Sequence, residues 1–525
     1  MICVIGSGPS AAACATGLAE RGVKVTVIDA GIGLEPERER LLESYRETGD
    51  QGALLPLKTG MGASAKGIPL KLSFGSDFPY RGASEGLRIT ENTSGILPSF
   101  ALGGLSNVWG AAMLPYRQHD LGDWPVTASD LEPHYREVTR LTRLALSSSG
   151  TMDAFFPALC EDPEELKLSA QGADLWADLQ ASAGPLQRAG MLFGRGRVAV
   201  RGASSSGRGG CDYKGLCMYG CPDNHIYNSR ETIQKLERQG MVDYRPGLVV
   251  RKLTETAEGV EIECRKLGFG EPVRLAAAKV FLATGVVPSA RILIESLALR
   301  DRRLVMRDSQ YFLLPLLRFK GTQGAAAEQT NTLSQIFLEL VEGSGLPRSS
   351  HLQVYGYNDM VGEALRNSLG VVGRLAPGLL RFLEERMLIV QGYLHSDLSG
   401  TIEARLEEGG PADTAPMHLR GIRNPATAGH VREVVRKLLL QSGRLKAVPL
   451  LPMLQVALPG RGFHTGGALP MSRHPGPLES DLLGRPRGFK NLHVVDASIL
   501  PSIPATTITF SVMANAHRIA STCDL

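Results

Sequence analysis

The stretch MICVIGSGPSAAACATGLAERGVKVTVID, residues 1–29, decides the fold. An apolar run typical of a buried strand comes first, and the spacing Gly6-x-Gly8-x-x-Ala11 follows it. An alanine-rich helical segment then leads to a second apolar run that ends at Asp29. The sequence therefore predicts a β–α–β unit of the Rossmann type at the start of the chain.

The glycine spacing suits a dinucleotide. The two glycines permit a tight turn and close backbone approach to a pyrophosphate, and the helix N-terminus then faces the phosphate charge. Asp29 follows Gly6 by 23 residues, close to the spacing expected of a carboxylate that binds a ribose 2′-hydroxyl. A glycine turn needs no ligand, but it would leave Asp29 unexplained. We therefore predict a nucleotide site, which Pro9, Ser10 and Ala30 would also line.

A later segment favours FAD over NAD, although the opening motif fits both. VFLATGVVPSARIL, residues 280–293, is typical of a strand that ends in Ala283-Thr284-Gly285. Such a return strand is common in flavoproteins with two dinucleotide-binding segments, where it passes the FAD again. We expect Ala283 and Gly285 to lie against the cofactor.

Composition and charge exclude several classes of protein. The chain has 525 residues, of which 43% are hydrophobic and 21% charged, and its formal net charge is +4. This composition is globular, the chain is too long for one simple core, and no Lys/Arg run supports a nucleic-acid partner. An apolar strand directly after Met1 leaves no room for a secretory signal, and no stretch suits a transmembrane segment. We expect a cytoplasmic protein.

Three further motifs point to the same kind of site. GGLSNVWG, residues 103–110, is expected to form a tight loop pressed against a flat ligand. RGFHTGGALPM, residues 461–471, places a histidine just before a double glycine. NLHVVDASILPSIPATTIT, residues 491–509, is typical of a strand that delivers Asp496, then a threonine-rich turn into a final helix.

With these motifs the chain resembles the glucose–methanol–choline (GMC) family of FAD-dependent oxidoreductases. The resemblance covers the GxGxxA start, GGLSNVWG, the ATG turn, HTGGALPM and VVDASILP. It implies a mixed α/β (α+β) fold, in which a discontinuous Rossmann-like FAD/NAD(P)-binding domain joins a substrate domain built on an antiparallel sheet. It also implies oxidation of an alcohol or sugar CH–OH group to a carbonyl.

The resemblance further implies positions along the FAD. Gly6, Gly8 and Asp29 would bind the ADP half, and Val250 would contact the adenine side. Eight more residues would follow the rest of the cofactor: Gly103, Gly104, Asn107 and Val108 along the isoalloxazine and ribityl chain, Asp496 and Ala497 near the pyrophosphate and ribityl chain, and Thr506 and Thr507 where the final helix opens against the flavin.

His464 is the candidate base. Oxidising an alcohol requires a group that takes the hydroxyl proton while a hydride leaves carbon, and histidine titrates near neutral pH. The resemblance places His464, seven residues before Met471, in the family's active-site histidine segment. A lone histidine is more often structural, but inside this segment we favour catalysis.

One position departs from the family pattern. A second His or Asn usually precedes a Pro-x-x-Thr near the start of the last helix, whereas this chain has Ile503 there. Isoleucine cannot form a hydrogen bond with an alcohol oxygen. Either Thr506 helps, or the substrate domain supplies the partner.

The substrate domain offers polar candidates. In IVQGYLHSDLSG the alternation places Gln391, Tyr393 and His395 on one face of a strand, and HLQVYGYND similarly pairs Gln353 with Tyr355. We expect Tyr393 and His395 to contact the substrate. The alternative is a solvated strand face.

Three of the eight cysteines cluster in GCDYKGLCMYGCPDNHIYNS, residues 210–229. Cys211, Cys217 and Cys221 would suit a 3Fe–4S cluster, and their spacing resembles that of cluster-bearing GMC sugar dehydrogenases. GMC proteins without a cluster also carry a CxxGC segment here, as a structural turn. Zinc would need a fourth ligand such as His225. The sequence leaves these interpretations open.

We expect five segments along the chain: residues 1–120 as the first part of the FAD-binding domain, 121–199 as a helical insertion on the substrate side, 200–300 as the second FAD part with the cysteine segment, 301–459 as the substrate-binding domain, and 460–525 as the C-terminal FAD part with the catalytic histidine.

The leading hypothesis for function is an FAD-dependent alcohol or sugar dehydrogenase. It would act on a sugar, a glycosylated metabolite or another alcohol, and it could pass electrons to an acceptor protein or a quinone. An oxidase is less favoured. The alternatives are a flavin enzyme without net redox turnover, such as a lyase or isomerase, and a catalytically silent flavoprotein subunit.

Overall fold

The computed structural model of the chain describes residues 1–58, 70–122, 124–147, 150–160, 163–202, 209–268, 270–407 and 414–525. Its strands, numbered in chain order, are β1 Ile2–Ile5, β2 Val25–Ile28, β3 Ile89–Asn92, β4 Met191–Arg195, β5 Val242–Arg245, β6 Leu248–Thr256, β7 Gly259–Lys266, β8 Pro272–Ala277, β9 Lys279–Leu282, β10 Leu304–Asp308, β11 Tyr311–Arg318, β12 Ile336–Leu340, β13 Ser350–Tyr355, β14 Met387–Leu394, β15 Thr401–Leu406, β16 Met417–Ile422, β17 Ala447–Pro449, β18 Gln455–Val456, β19 Thr465–Gly466 and β20 Leu492–Val494.

The helices are α1 Pro9–Glu20, α2 Pro36–Thr48, α3 Gln51–Leu57, α4 Ala83–Gly86, α5 Ala128–Thr142, α6 Ala170–Ala181, α7 Ala183–Arg188, α8 Ser229–Arg238, α9 Val286–Ser296, α10 Asp359–Leu375, α11 Pro377–Glu384, α12 Ala426–Leu440, α13 Ser442–Leu445 and α14 Thr509–Thr522. None of the described helices combines the length and apolarity that crossing a bilayer requires.

A parallel sheet in the order β20–β9–β1–β2–β5 carries the nucleotide motifs. The first strand lies at its centre and the strand order reverses beside it, which is the Rossmann arrangement. The residues of β1 and β2 are almost entirely buried, as expected of short apolar strands that are covered on both faces. Since β9 and β20 come from distant parts of the chain, the domain is discontinuous.

The first and last helices hold the two ends of the chain together. α1 packs on α14, and Gly17 permits this, because a Cβ there would lie 3.2 Å from both the Cβ of Ala520 and the carbonyl oxygen of His517. The Arg21 guanidinium closes the contact by donating to the carbonyl oxygens of Ala520 at 2.8 Å and Cys523 at 2.9 Å. The C-terminal segment is thereby held against the first nucleotide-binding motif.

An antiparallel sheet in the order β17–β11–β14–β13–β12–β4 forms the core of the second half of the molecule. Side chains alternate between the faces of a strand. One face, with Phe312, Leu352 and Val390 among its residues, packs on α6, α7 and α12. The opposite face is left to line a cavity.

Two smaller sheets connect these units, in the orders β19–β10–β15–β16–β3 and β6–β7–β8. β19 pairs with β10 through Thr465 and Asp308, so the histidine segment is held against the substrate domain. The fold is therefore mixed α/β, with a parallel Rossmann-like sheet and an antiparallel substrate-domain sheet, and the predicted fold class is confirmed.

A buried arginine joins three of these elements. Arg291 on α9 is only 1% exposed, and its guanidinium donates to the carbonyl oxygens of Leu87 and Ala415, each at 3.0 Å. Leu87 follows α4 and Ala415 precedes β16. Burial lowers the pKa of Arg291 to about 10, so the side chain remains a charged donor at neutral pH.

Replacing Arg291 with Met should lower the melting temperature of the protein. The change leaves two buried carbonyl oxygens without a donor, at a cost of about 1–3 kcal/mol for each. Thermal unfolding followed by far-ultraviolet circular dichroism measures the effect. Arg302→Met is the control, because that side chain is 51% exposed. Equal melting temperatures for the two variants would contradict the prediction.

Candidate active site

A cavity of about 220 Å³ lies at the carboxyl ends of the parallel strands, where open α/β sheets bind their ligands. We call it the nucleotide cradle. Its lining contains most of the residues that the sequence suggested for the cofactor: Gly6, Gly8, Pro9, Ser10, Asp29, Ala30, Gly104, Val250, Ala283, Gly285, Asp496 and Ala497.

The first two glycines play different parts in the cradle. Gly6 has φ +103°, and a Cβ there would lie 2.6 Å from the carbonyl oxygen of Ala283. No atom lies within 4 Å of the Cβ position of Gly8. Gly8 also precedes α1, whose N-terminus has no side-chain cap. The backbone amides of α1 therefore open on the cradle, as at sites that bind a phosphate.

Asp29 lies in the cradle directly after β2. Its Oδ2 accepts hydrogen bonds from the Ser7 hydroxyl at 2.5 Å and the Tyr244 hydroxyl at 3.1 Å. Burial raises the pKa of Asp29 to about 7, while these hydrogen bonds act to lower it. The two hydroxyls orient the carboxyl group, which suits a ribose contact.

Asp496 braces the cradle from the C-terminal side. Its Oδ2 accepts from the Gly285 amide at 2.9 Å and the Ser289 hydroxyl at 2.5 Å, and its Oδ1 accepts from the Ser498 amide at 2.9 Å. Burial raises the pKa of Asp496. The carboxyl group therefore ties the turn after β9 to the turn after β20, where both meet the cradle.

A larger cavity of about 560 Å³ adjoins the cradle. Pro9, Leu105, Phe463 and Thr509 line both cavities, so the two are neighbours with common walls. We call the larger one the substrate cavity, because its volume suits a small organic ligand. The antiparallel sheet contributes a group of polar residues to its lining: Tyr311, Gln353, Tyr355, Gln391, Tyr393 and Gln455.

The charged groups of the substrate cavity are basic. Lys71 and Arg461 belong to its lining, and no Asp or Glu does among the described residues. Lys71 Nζ donates to the Trp109 carbonyl oxygen at 3.1 Å, and burial lowers the pKa of Lys71 to about 8. A ligand in this cavity therefore meets no described carboxylate.

His464 faces the substrate cavity beside Tyr393. The two rings stack, with centroids 4.5 Å apart and planes at 15°. Nδ1 of His464 is buried without a hydrogen-bond partner among the described residues, which leaves Nε2 to meet a ligand. Burial, and secondarily His351, lowers the pKa of His464 to about 3. The imidazole is therefore neutral and able to accept a proton.

A buried carboxyl group holds the His464 segment in place. Asp308 is 0% exposed, and it accepts hydrogen bonds from the Gly460 amide at 2.7 Å and the Thr465 hydroxyl at 2.9 Å. The Ser309 amide donates to the His464 carbonyl oxygen at 2.9 Å. Residues at the end of β10 therefore form hydrogen bonds with the chain on both sides of His464.

The placement predicted for His395 is wrong. β14 ends at Leu394, so His395 does not share the strand face of Gln391 and Tyr393. Its Nδ1 instead accepts from the Asp397 amide at 3.1 Å, and His395 is outside the described lining of both cavities. His395 therefore caps a short turn outside the strand, and its contact with the substrate stays a prediction.

The threonines also differ from expectation. α14 begins at Thr509, after both predicted threonines. Thr507 lines the substrate cavity and accepts from the Leu114 amide at 2.8 Å. Thr506 belongs to neither described lining, and its hydroxyl is buried without a partner among the described residues. The threonine that meets the substrate cavity is therefore Thr507 and not Thr506.

Ile503 is absent from the described lining of the substrate cavity. It is completely buried, and its backbone exchanges hydrogen bonds with Ser396, from the Ile503 amide to the Ser396 hydroxyl at 3.1 Å and from the Ser396 amide to the Ile503 carbonyl at 2.8 Å. Its apolar side chain therefore packs in the core.

The residues of the loop at 103–110 lie in different cavities. Val108 lines the substrate cavity, and Asn107 lines a smaller cavity of about 200 Å³ beside it. Gly103 is outside the described linings, and its amide donates to the Ser7 hydroxyl at 3.0 Å. Only Gly104 of the four predicted residues lines the cradle itself.

The three clustered cysteines are free thiols. Cys217 Sγ donates to Asn331 Oδ1 at 3.4 Å, and Cys221 Sγ accepts from the His225 amide at 3.1 Å. Burial raises the pKa of Cys211 to about 12. Among the described residues, these thiols are not part of a group of ligand atoms within 4.8 Å of one another.

One group in this segment does meet that distance. Asp212, Asp223 and His225 bring ligand atoms within 4.8 Å, but Lys214 Nζ pairs with both aspartates, at 2.9 and 2.6 Å. An ammonium group thus already offsets part of the charge of the acidic pair. His225 groups with carboxylates here, and not with the three thiols.

Sequence reasoning missed Ser7, Tyr244 and Asp308. Ser7 is the residue between the two motif glycines, so its position was visible but its role as donor to Asp29 was not. Tyr244 reaches Asp29 because β5 pairs with β2. Of these three residues, only Asp308 could have been found from the sequence, because an acid between two apolar runs indicates a buried polar contact.

Comparison with known proteins agrees with this architecture. The whole chain is similar to a solved structure titled pyridoxine 4-oxidase from Mesorbium loti, with a TM-score of 0.60 and 14% identity over 99% of this chain and 98% of that one. A comparison with curated protein sequences gives no match. Residues 453–516, which contain His464, Asp496 and the start of α14, match the family model described as GMC oxidoreductase. The C-terminal segment is therefore similar to the GMC oxidoreductase family, and the likeness over the rest of the chain is one of fold.

Proposed function

We propose that this protein is an FAD-dependent enzyme that oxidises a CH–OH group of a sugar, a glycosylated metabolite or another alcohol to a carbonyl. The observation that carries the proposal is the position of His464. It is a neutral histidine with an unpartnered ring nitrogen, in a cavity that shares walls with the nucleotide cradle.

The residues of the cradle fit FAD, the cofactor that the family implies. The Cβ position of Gly8 is open, and the uncapped N-terminus of α1 lies beside it, which together suit a pyrophosphate. Asp29 is oriented by two hydroxyls for a ribose. Residues shared with the substrate cavity, such as Leu105 and Phe463, mark the border at which the reactive ring of the cofactor would meet the substrate.

These positions suggest a separate role for each residue and for the cofactor. His464 would take the hydroxyl proton of the substrate at Nε2, as a general base. Tyr393 holds the imidazole plane by stacking on it, and Asp308 holds the backbone on both sides. FAD, when bound, would accept the hydride released from carbon.

The lining of the cavity combines apolar side chains with several hydrogen-bonding groups. Glutamine and tyrosine side chains from the sheet can bind hydroxyl groups, and no described carboxylate would repel an anion. This supports the broad class of sugars and substituted alcohols. The structural relative is titled an oxidase, whereas we favour a dehydrogenase that passes electrons to an acceptor protein or a quinone.

We further propose that the cysteine segment is a structural turn. Cys217 and Cys221 already have hydrogen-bond partners in Asn331 and the His225 amide. Both cysteines also lie close enough to Lys71 to act on its pKa, which they raise. No step of the proposed reaction requires a metal cluster at these residues.

Replacing His464 with Ala should slow reduction of the bound flavin by substrate roughly 10²- to 10⁴-fold, the usual contribution of a general base. The measurement is anaerobic bleaching of the flavin with a panel of sugars, sugar derivatives and long-chain alcohols. His474→Ala is the control, because that histidine is exposed on the same segment. Unchanged bleaching in His464→Ala would remove His464 from the mechanism.

The panel also tests the alternatives. If no alcohol or sugar bleaches the flavin of the wild-type protein, the proposed oxidation is wrong, and a flavin enzyme without net turnover or a silent subunit is favoured instead. If bleaching occurs and oxygen restores the flavin as fast as quinones do, the enzyme is an oxidase and not a dehydrogenase.

Replacing Gly8 with Leu should abolish flavin binding while the fold is retained. The leucine side chain would enter the open space beside the N-terminus of α1. Purified variant should lack the flavin absorbance near ~450 nm and keep its circular dichroism spectrum. Gly429→Leu is the matched control, because its Cβ position is equally open but lies on the exposed face of α12. Full flavin content in Gly8→Leu would refute the placement of the cofactor.

Protein purified without oxygen should contain no stoichiometric iron or sulfide, and Cys217→Ser should keep wild-type flavin bleaching. A serine can preserve the hydrogen bond to Asn331 but cannot replace a thiolate ligand of a cluster. Stoichiometric iron and sulfide in the wild-type protein, lost in Cys217→Ser, would show that the segment holds a cluster.

A further inference from the structure

Contacts join the two cationic side chains that the structure describes in the lining of the substrate cavity. Lys71, Tyr80, Arg461 and Phe463 all belong to that lining. The Tyr80 hydroxyl donates to the Lys71 carbonyl oxygen at 3.1 Å, and the Tyr80 ring stacks on Phe463 with centroids 6.2 Å apart. Arg461 comes two residues before Phe463. We call these four residues the basic wall.

Lys71 is a cation that the described residues do not pair with a carboxylate. Its Nζ donates to the Trp109 carbonyl oxygen at 3.1 Å, although an ammonium group can donate three hydrogen bonds. The ionisable groups that act on its pKa are Cys217 and Cys221, and that pKa of about 8 leaves Lys71 charged at neutral pH. A cation withdrawn from water without a counter-charge is costly unless a ligand supplies one.

Two possible sources of negative charge do not serve Lys71. Glu39 and Glu43 line the smaller cavity that Lys71 also borders, but both are exposed and neither acts on its pKa. The pyrophosphate of FAD would lie in the nucleotide cradle, and neither Lys71 nor Arg461 belongs to the described lining of that cradle. A counter-charge for Lys71 would therefore come from a ligand in the substrate cavity.

Arg461 adds a second positive charge beside His464. Its charge acts on the phenols of Tyr80 and Tyr311, and its side chain forms a hydrogen bond with Tyr311. Burial raises the pKa of both phenols well above the ordinary value, so they are neutral and do not offset the guanidinium charge. Since Arg461 precedes His464 by three residues, a ligand at the base also meets this cation.

The rest of the described lining does not reverse this potential. Its other polar side chains are neutral amides, phenols, hydroxyls and the neutral imidazole of His464, and no Asp or Glu is among them. A cavity lined by charge of one sign between apolar walls concentrates ligands of the opposite sign. The substrate cavity therefore favours an anion over a neutral molecule of the same shape.

We propose that the basic wall binds an anionic group of the substrate, so that the enzyme selects alcohols that carry a carboxylate or a phosphate. This inference rests on the proposed oxidation in the same cavity. Lys71 is the residue that determines specificity, and Arg461 supports it from the His464 side. A lysine ammonium acts as a point charge, so both kinds of anion fit, while the hydroxyl group to be oxidised lies at His464.

The test compares 6-hydroxyhexanoate with 6-hydroxyhexanamide, which has nearly the same shape and no charge, in anaerobic flavin bleaching. Wild-type protein should prefer the carboxylate about 10- to 100-fold in kcat/KM, the value of a hydrogen bond to a charged group. The same comparison with 4-hydroxybutanoate, 8-hydroxyoctanoate and 6-hydroxyhexyl phosphate finds the best chain length and anion. A ratio near one for every anion would overturn the inference.

Variants of Lys71 assign the preference to this side chain. In Lys71→Met the ratio of the two kcat/KM values should fall to near one, and Lys71→Arg should retain a preference because it keeps the charge. Lys266→Met is the matched control, since it removes the same charge from a side chain that is 60% exposed on β7. It should keep the wild-type ratio. An equal loss in Lys266→Met, or a full ratio in Lys71→Met, would contradict the assignment.

A binding measurement separates this inference from the oxidation. Hexanoate lacks the hydroxyl group, and its binding is followed through the change in flavin absorbance on titration. Wild-type protein should bind hexanoate at least about tenfold more tightly than hexanamide, and Lys71→Met should lose the difference. Tight binding of hexanoate without bleaching by any alcohol would refute the oxidation and leave the anion site standing. Bleaching by alcohols with equal binding of the two ligands would refute the anion site alone.

The flavin content of Lys71→Met tests the remaining assignment of this charge. The variant should keep the flavin absorbance of the wild-type protein, because Lys71 is outside the described lining of the cradle. Loss of flavin from a variant with an unchanged circular dichroism spectrum would show that Lys71 holds the cofactor, and it would overturn the inference.

Discussion

The buried carboxyl group of Asp496 joins the separated parts of the nucleotide domain. Its three hydrogen bonds reach the turn after β9 and the turn after β20, two stretches that are about 210 residues apart. Their strands are neighbours in the parallel sheet, and both turns open on the cradle. Since α14 is the next helix and packs on α1, this group helps to hold the C-terminal segment against the glycine turn before α1. Asp308 is a second buried carboxyl group of this kind. At the end of β10 it connects the substrate domain to the His464 segment.

The substrate cavity exists because the antiparallel sheet has two different faces. Leucine, isoleucine and valine side chains fill the face toward α6, α7 and α12, so the period of two puts tyrosine and glutamine side chains on the other face. A slip of one residue in β13 or β14 would exchange the two sets. The register that buries Val390 is therefore the same register that presents Gln391 and Tyr393 to His464.

Local patterns were predictable and distant contacts were not. The Rossmann unit follows from the spacing of residues 1–29. The fold class follows from that spacing and from motifs that each lie within one short stretch of the chain. The placement of His395 failed because β14 ends at Leu394, where Ser396 turns away to bond with Ile503. Alternation alone cannot locate that end. Asp308 could not be assigned either, since its partners lie 152 and 157 residues later in the chain.

The burial of His464 constrains how the proposed oxidation would proceed. A base with a pKa of about 3 is far too weak to generate a free alkoxide from an alcohol before the C–H bond breaks. Transfer of the hydroxyl proton to Nε2 must then coincide with departure of the hydride, because loss of the hydride makes the hydroxyl strongly acidic. The same burial disfavours the protonated form of His464, and no described carboxylate in the cavity lining stabilises that form.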